Sequence, residues 1–402
     1  MIARSVVFLS SNFLVKLLPI LLGFVLSRSA GGSAYAGFVS FVLFSGLISN
    51  ISILGANPQI ISIKGSDNYR NAEYVKITFL GFLLLVICAA CVLAAFVLDL
   101  VSVYLIAVLG YEGVIAAFLY SMGLYLVYVS AAKLNNELLT KNASLLWLSY
   151  SAITVFATIV WFIYAKNNLL LLVYLMAFSS FITGVIGYIN SIRGCPVLST
   201  LINVGKGGYL IILKRQLSYS LFGFGIIGVF FYYQNMLSLL SINEGAFFSL
   251  FYQLFALIIF VPSTLGNIVV PHFLSKPTSY FPPKIYLYYF FISSVLCVCV
   301  LYAWPYLLYI YKIDMQFSSE LSLILLSVSI LAATNSYSVQ VLVAKKNYKV
   351  LLISTMCWAT VSLILTTLMG LDIQAIALSL LVSYSLVFIG TGFCLYKFGY
   401  VR

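Results

Sequence analysis

Charged side chains are scarce in this chain. Asp, Glu, Lys and Arg make up 7% of the 402 residues, whereas a soluble protein carries about 25%. Hydrophobic residues reach 63%, so the composition excludes a soluble domain and predicts a membrane protein. The formal net charge of +12 could point to nucleic acid. The basic residues fall between apolar segments, however, which explains the charge without a nucleic acid partner.

Side chains with catalytic or metal-binding chemistry are scarce as well. His272 is the only histidine, and one histidine cannot form a catalytic or metal cluster by itself. No Walker loop, D-x-D or paired-carboxylate motif occurs. Cys88 and Cys91 have the spacing of a metal or redox pair, but they lie in an apolar segment without polar partners, so we interpret them as packed thiols. The sequence predicts neither a cofactor nor an enzyme.

Apolar runs of more than about 18 residues, which are typical of transmembrane helices, fill most of the chain. A β-barrel would instead show short segments of alternating hydrophobicity. The sequence thus predicts an all-α polytopic membrane protein with twelve transmembrane helices. The predicted spans are residues 5–26, 35–56, 75–97, 102–130, 144–165, 168–190, 216–240, 244–270, 285–309, 317–342, 350–370 and 373–396.

Basic residues lie mostly on one side of these spans. With the N-terminus inside, 17 of the 21 lysines and arginines fall in cytoplasmic segments, and Arg28, Lys166 and Lys312 fall outside. This bias follows the positive-inside rule and predicts that both termini are cytoplasmic. Lys16 is the one basic residue left within the membrane.

The chain contains a weak internal repeat. Six spans precede the basic stretch near its middle and six follow, and Leu54-Gly55 recurs as Leu265-Gly266 at an offset of 211 residues. A second pair of matching loops has an offset of 212. We predict two six-helix lobes, residues 1–195 and 216–402, joined by a cytoplasmic linker at 196–215 and related by an axis along the membrane normal. Two such lobes suggest a cleft and alternating access.

The first span carries an unusual charge. Lys16 lies about 16 Å along the helix from Ser5, near the bilayer midplane, where a charge costs about 3 kcal/mol or more. Asn12, Lys16 and Pro19 fall on one helix stripe, and the proline predicts a bend. We therefore predict that this helix faces a hydrated cavity and that Asn12 and Lys16 bind substrate.

Glu112 is the one acidic residue that falls within a predicted span. It could pair with Lys16 or Arg28, bind a coupling cation such as H⁺ or Na⁺, or lie near the outer interface because its span is long. Other polar residues within spans are candidates for lining a cavity in the second lobe, although such residues often only bond neighbouring helices. They are Gln234, Asn235, Gln253, Asn335 and Gln340.

Several short motifs resemble a known family. The segment LSRSAGGSAYAG at residues 26–37, followed by Leu54-Gly55, resembles the R-x-L-G-x-x-x-Y-G…L-G pattern of the polysaccharide transporter family, with Ser29-Ala30 in place of Leu-Gly. The segments at 213–215 and 245–248 resemble the start of that family's second lobe. The family includes the Wzx-type O-antigen flippases and belongs to the multidrug/oligosaccharidyl-lipid/polysaccharide (MOP) exporter superfamily.

The resemblance implies a MATE-like fold with a V-shaped cavity. It implies flipping of undecaprenyl-pyrophosphate-linked oligosaccharide across the bacterial inner membrane without ATP, as a step in O-antigen or similar polysaccharide synthesis. By position, Lys16 and Arg28 correspond to cationic cavity residues of related lipid II flippases and would bind the pyrophosphate. Membrane lipid, a polysaccharide polymerase and a chain-length regulator are further partners that the resemblance implies.

Three other functions stay open at this point. A drug or organic-cation exporter of the same superfamily would favour buried acids, and only Glu112 could serve. A polysaccharide polymerase or ligase typically resembles chains with a long periplasmic loop that bears arginines, whereas the longest polar interval here, 191–215, is predicted to be cytoplasmic. A purely structural membrane protein would gain nothing from a buried lysine.

Overall fold

A computed structural model describes most of the backbone. The described residues are 2–61, 63, 66–97, 104–137, 139–166, 168–193, 206–274, 282–315, 318–345 and 347–400. Within the helices, no side chain is described at residues 2–12, 14–16, 58, 95–97, 140, 206–208, 218–219, 263–264, 266–274 and 348.

The described residues form twelve helices and no strand, which confirms the predicted all-α fold. We number the helices in chain order. They are α1 (Ile2–Ser29), α2 (Gly32–Ile61), α3 (Asp67–Val97), α4 (Tyr104–Asn136), α5 (Thr140–Ala165), α6 (Leu169–Ser191), α7 (Lys206–Leu240), α8 (Ile242–Leu274), α9 (Lys284–Ile310), α10 (Ser319–Ala344), α11 (Tyr348–Met369) and α12 (Ile373–Lys397).

These helices are long and apolar. In their described residues, eleven of them have the length and composition to cross a membrane, and the described apolar part of α1 is the shorter segment Leu17–Ser29. The chain is therefore a multi-pass membrane protein.

Some helices begin earlier than the apolar runs predict. α3 begins at Asp67 instead of residue 75, and α7 begins at Lys206, so residues 206–215 of the predicted linker are helical. Hydropathy marks where a helix leaves the lipid, but the backbone hydrogen bonds of the helix continue into water. The added turns of α3 are polar, and Glu73 pairs there with Lys76 over 2.8 Å.

The chain divides into two compact units. Unit 1 comprises Met1–Leu18 and Gly37–Phe231, and unit 2 comprises Pro19–Ala36 and Tyr232–Arg402. Thus α1 changes unit at Pro19, and α7 changes unit at Tyr232. The lobe boundaries expected from the sequence, at residues 195 and 216, stay a prediction.

In unit 1, α4 and α6 cross in backbone contact. A Cβ atom on Gly123 would lie 2.4 Å from the nitrogen of Phe181 and from the carbonyl carbon of Ser180, and one on Gly184 would lie 2.5 Å from the carbonyl oxygen of Gly123. Ser180 Oγ also donates to the carbonyl of Tyr120 over 3.3 Å. Glycines let membrane helices approach this closely, so the crossing depends on them.

The first part of α7 packs against α2 and α3 within unit 1. Gln216 Nε2 donates to the carbonyl of Ile77 over 2.7 Å, and Ser220 Oγ donates to the carbonyl of Ile51. A Cβ atom on Gly55 of α2 would lie 2.9 Å from the carbonyl oxygen of Gln216. A glycine and two side-chain donors therefore fix this half of α7 to unit 1.

Polar pairs join the helices of unit 2. The hydroxyl of Tyr233 on α7 lies 2.7 Å from Ser362 Oγ on α11, and the hydroxyl of Tyr289 on α9 donates to Gln340 Oε1 on α10 over 3.0 Å. These bonds satisfy polar groups that would be costly if left unpaired inside a membrane. One apolar cluster of the unit consists of Ile258, Cys297, Leu326 and Ala333.

Candidate functional site

Pro19 lies inside α1 at the residue where the helix passes from unit 1 into unit 2. Proline has no backbone N–H, so the carbonyl of residue 15 loses its usual donor, and the proline ring crowds that carbonyl. Helices bend at such positions because the ladder of hydrogen bonds is broken there. The proline predicted to bend the first helix therefore also marks where the helix changes its packing partners.

Two side chains of unit 2 donate to the carbonyls of Pro19 and of the residue that follows it. Gln253 of α8 donates from Nε2 to the carbonyl of Pro19 over 3.2 Å, and Tyr311, which directly follows α9, donates to the carbonyl of Ile20 over 2.7 Å. Gln253 is only 6% exposed. Each bond contributes about 1 kcal/mol, so together they hold the second half of α1 against α8 and α9.

Tyr35 completes the arrangement. Its hydroxyl donates to Gln253 Oε1 over 3.2 Å, and its ring centroid lies 5.1 Å from that of Tyr311. Gly23 leaves room for these groups, because a Cβ atom there would lie 2.6 Å from Tyr35 Cε2 and 3.1 Å from Gln253 Nε2. We call Pro19, Gly23, Tyr35, Gln253 and Tyr311 the Pro19 cluster.

The surroundings of the Tyr311 hydroxyl keep it protonated. Burial raises the pKa of the Tyr311 hydroxyl above its ordinary value of about 10. The hydroxyl therefore stays protonated over the whole physiological range and keeps donating to α1.

Arg28 lies at the end of α1, away from the Pro19 cluster. Its Nε donates to the carbonyl of Ile310 over 2.7 Å, and its guanidinium carbon lies 5.5 Å from the ring centroid of Tyr309. Lys312 Nζ donates in return to the carbonyl of Arg28 over 3.3 Å. Arg28 thus lies at the end of α1 and contacts the end of α9. Its binding of substrate stays a prediction.

Lys16 and Asn12 are the main substrate-binding residues predicted from the sequence. Their backbone is helical, but their side chains lie outside the described residues. Lys16 precedes Pro19 by one turn, so it belongs to the part of α1 in unit 1. Its exposure to a hydrated cavity stays a prediction.

The polar residues predicted to line the second lobe take part in bonds between helices. Gln234 is fully buried and accepts from Ser249 Oγ over 3.0 Å, which joins α7 to α8. Asn335 accepts from Thr391 Oγ1 over 2.8 Å, which joins α10 to α12. Asn235 is buried as well. The bonds of Gln234 and Asn335 hold neighbouring helices together. The binding of substrate by these three side chains stays a prediction.

Glu112 is exposed on α4, 21 residues before Lys133. That separation is about 32 Å along a helix, about one bilayer core. Which of the three alternatives given above holds for Glu112 stays a prediction. Gly110, with a φ of 65°, breaks α4 just before it. No group of three or more His, Cys, Asp or Glu among the described side chains could hold a metal ion.

The sequence did not reveal the environment of Lys133, which the topology places in a cytoplasmic loop. Its side chain is buried in unit 1, and its Nζ donates to the carbonyl of Ser191, the last residue of α6. The ammonium also lies 5.0 Å from the ring centroid of Tyr74 and 3.7 Å from Glu137 Oε1. Lys133 therefore neutralises the end of α6, where the helix dipole is negative.

Solved transporters have the same arrangement of helices. No protein-family model and no curated protein sequence matches the chain. The structure of the MATE multidrug transporter DinF-BH, solved as a complex, aligns with a TM-score of 0.73 at 14% identity, covering 98% of this chain and 94% of that one. This chain has the MATE fold.

Two further structures show the MATE fold in different states. An outward-facing conformation of a multidrug resistance MATE family transporter of the MOP superfamily has a TM-score of 0.67 at 14% identity and covers 98% of this chain and 94% of that one. An inward-facing conformation has a TM-score of 0.64 at 15% identity and covers 98% of both chains. The MATE-like fold expected from the motifs is confirmed, and the narrower likeness to Wzx-type flippases stays a prediction.

Proposed function

We propose that this chain moves a lipid-linked oligosaccharide across the membrane by alternating access. The MATE fold supports the mechanism, because transporters with this fold have been solved in inward-facing and outward-facing conformations. The position of Pro19 in α1 also supports this mechanism. Because α1 changes unit at Pro19, its first half belongs to unit 1 and its second half to unit 2.

The distribution of charge supports an anionic substrate. Among the described side chains, the one buried charged residue is Lys133, and no carboxylate is buried. An organic cation in a low-dielectric cavity would need a carboxylate, whereas a lipid pyrophosphate would need a cation. Lys16, at its predicted midplane depth, would supply that cation. This absence of a buried acid from the described residues is the observation that carries the proposal.

Export of drugs is the second candidate. The structural neighbours favour it, since they are multidrug transporters. Their identity to this chain is 14% to 15%, so they support the mechanism of transport more strongly than the substrate.

Deletion of the gene separates the two candidates. The proposal expects the deletion strain to accumulate lipid-linked oligosaccharide, measured by lipid extraction and mass spectrometry, and to lose surface polysaccharide. Wild type should restore both, Lys16→Ala should restore neither, and Lys16→Arg should restore them in part. Lys349→Ala is the matched control, because Lys349 is an exposed lysine in the first turn of α11, and it should behave as wild type.

The same strains distinguish the alternative. If the deletion strain becomes sensitive to organic cations while its lipid-linked oligosaccharide stays at the wild-type level, the chain exports drugs and the proposal is wrong. Equal amounts of inserted protein, measured by immunoblot of membranes, are required for every variant. A Lys16→Ala protein that inserts and restores normal polysaccharide would remove Lys16 from the mechanism.

A further inference from the structure

Two prolines of unit 2 lie in the same local sequence. Pro19 in α1 and Pro262 in α8 each have a glycine four residues later, Gly23 and Gly266, and none of the other prolines of the chain does. Proline and glycine are the two poorest helix formers, and residues four apart are separated by about one helical turn. Each of these two segments is therefore a weak point of its helix.

Gln340 of α10 contacts Pro262 through its side chain. Its Nε2 donates to the carbonyl of Pro262 over 3.0 Å, and its Oε1 accepts from the hydroxyl of Tyr289 on α9 over 3.0 Å. Pro262 and Tyr289 are both buried. We call Pro262, Tyr289 and Gln340 the Pro262 cluster. Because both ends of the Gln340 amide are bonded, the side chain is fixed in one orientation, and it holds α8 to α9 and α10 at the proline.

The Pro19 cluster has the same order of bonds. There the hydroxyl of Tyr35 donates to Gln253 Oε1, and Gln253 Nε2 donates to the carbonyl of Pro19. In both clusters a tyrosine fixes a glutamine, and the glutamine donates to the carbonyl of a proline on another helix. The helix α8 takes part in both clusters, since Gln253 precedes Pro262 by nine residues. The sequence around the two prolines and the bonds to their carbonyls therefore match.

The part of α8 that precedes Pro262 is held by apolar packing. Ile258, one turn before the proline, is buried in the apolar cluster of unit 2 described above, where α8 contacts α9 and α10. Proline has no backbone N–H, so the carbonyl of Ile258 loses its usual donor within the helix. The ladder of hydrogen bonds is thus weakened directly after a firmly packed turn. A bend there would move the end of α8, residues 263–274, and leave its first part in place.

We propose that Pro262 is a bending point of α8 and that the bond from Gln340 controls it. While Gln340 donates to the carbonyl of Pro262, the end of α8 keeps the direction that the structure shows. When this bond breaks, the helix bends at the proline, and Tyr289 keeps the glutamine oriented for the bond to form again. One neutral hydrogen bond contributes little enough to break and re-form during a transport cycle. This inference concerns the motion of α8 and does not depend on which substrate the chain transports.

Hydrogen–deuterium exchange of the purified full-length chain in detergent, followed by mass spectrometry of its peptides, tests the proposal. Exchange is compared between the amides of residues 263–266, just after the proline, and those of residues 247–257, in the first part of α8. Gln340→Leu should raise exchange about fivefold at 263–266, the factor for one neutral hydrogen bond, and leave 247–257 unchanged. Tyr289→Phe, which keeps the glutamine, should cause a smaller rise at 263–266. Gln374→Leu, at an exposed glutamine of α12, is the control and should exchange as wild type.

The substitution Pro262→Ala tests the bending point from the other side. Alanine returns an N–H to the helix, so exchange at residues 263–266 should become slower than in wild type. Faster exchange confined to these amides in Gln340→Leu, together with slower exchange in Pro262→Ala, supports the proposal. An equal rise in both parts of α8, no rise, an equal rise in Gln374→Leu, or unchanged exchange in Pro262→Ala overturns it. If Gln340→Leu does not fold, Tyr289→Phe and Pro262→Ala decide the question by the same criteria.

Discussion

Replacing Gly123 by alanine should destabilise the protein, although alanine is the better helix former. The new Cβ atom would lie 2.4 Å from the nitrogen of Phe181 and the carbonyl carbon of Ser180, about 1 Å inside van der Waals contact. Both are backbone atoms, so no side chain can rotate away, and α4 and α6 must move apart.

The size of the effect follows from three terms. Overpacking costs about 1–3 kcal/mol, and separation of the helices removes the bond from Ser180 to the carbonyl of Tyr120, which is worth about 1 kcal/mol. The gain in helix propensity on replacing glycine by alanine is about 1 kcal/mol. We therefore expect a net loss of about 1–3 kcal/mol, which is comparable to the overpacking term alone.

The matched control, Gly390→Ala, should change the free energy of unfolding in the opposite direction. A Cβ atom on Gly390 of α12 would meet nothing within 4 Å, so Gly390→Ala should be neutral or stabilise by up to about 1 kcal/mol. Unfolding by SDS in mixed micelles, followed by tryptophan fluorescence, measures both changes. The reasoning is refuted if Gly123→Ala unfolds at the same SDS fraction as wild type. Gly184→Ala, from the other side of the crossing, should add little to Gly123→Ala, because the helices have already separated.

Two further predictions concern donors at helix ends and breaks. Lys133→Met should lower the free energy of unfolding by about 1–3 kcal/mol, because the carbonyl of Ser191 loses a charged donor. Lys141→Met, at an exposed lysine of α5, is the control and should change stability by less than about 0.5 kcal/mol. Equal SDS unfolding of the two variants would contradict the role given to Lys133. Tyr311→Phe should lose about 1 kcal/mol at neutral pH through its bond to Ile20. Burial raises the folded pKa of this hydroxyl above the unfolded value of about 10. Its contribution to the free energy of unfolding is therefore complete below pH 10 and is lost as the pH rises above 10. The difference in stability between Tyr311→Phe and wild type should stay constant from pH 6 to 9 and narrow in unfolding curves above pH 10.

The sequence predicted the helices well because a bilayer restricts what can cross it. Each span needs about 20 apolar residues with its hydrogen bonds satisfied internally, and such runs are visible without a structure. The ends of α3 and α7 were missed because helix turns in water carry no apolar signal. The changes of unit at Pro19 and Tyr232 lie 213 residues apart, close to the offset of the internal repeat. The repeat itself stays a prediction, and the two units of the structure were not visible in the sequence.

The sequence pointed to two members of the Pro19 cluster, Pro19 and Gln253, but not to the contact between them. Pro19 is unusual within a helix, so the sequence alone points to it. Its partners Tyr35 and Gln253 are 218 residues apart, and no local pattern indicates which helices meet. Lys133 was assigned to a loop by its charge, since nothing in the sequence shows that its ammonium turns back toward the end of α6. The direction in which a side chain points, and the distant helix that it contacts, depend on packing, which hydropathy does not show.

The ribosome makes the second half of α1 long before the helices that bind it. Pro19 precedes Gln253 by 234 residues, and Arg28 precedes Ile310 by 282. At about 5–20 residues per second, the wait is about 12–56 s. During that time, lipid, water or the insertion machinery must take the place of α8 and α9 around the second half of α1. A nascent chain released after α6 would still lack these partners, so the first six helices alone should be a poor folding unit and a ready substrate for membrane proteases.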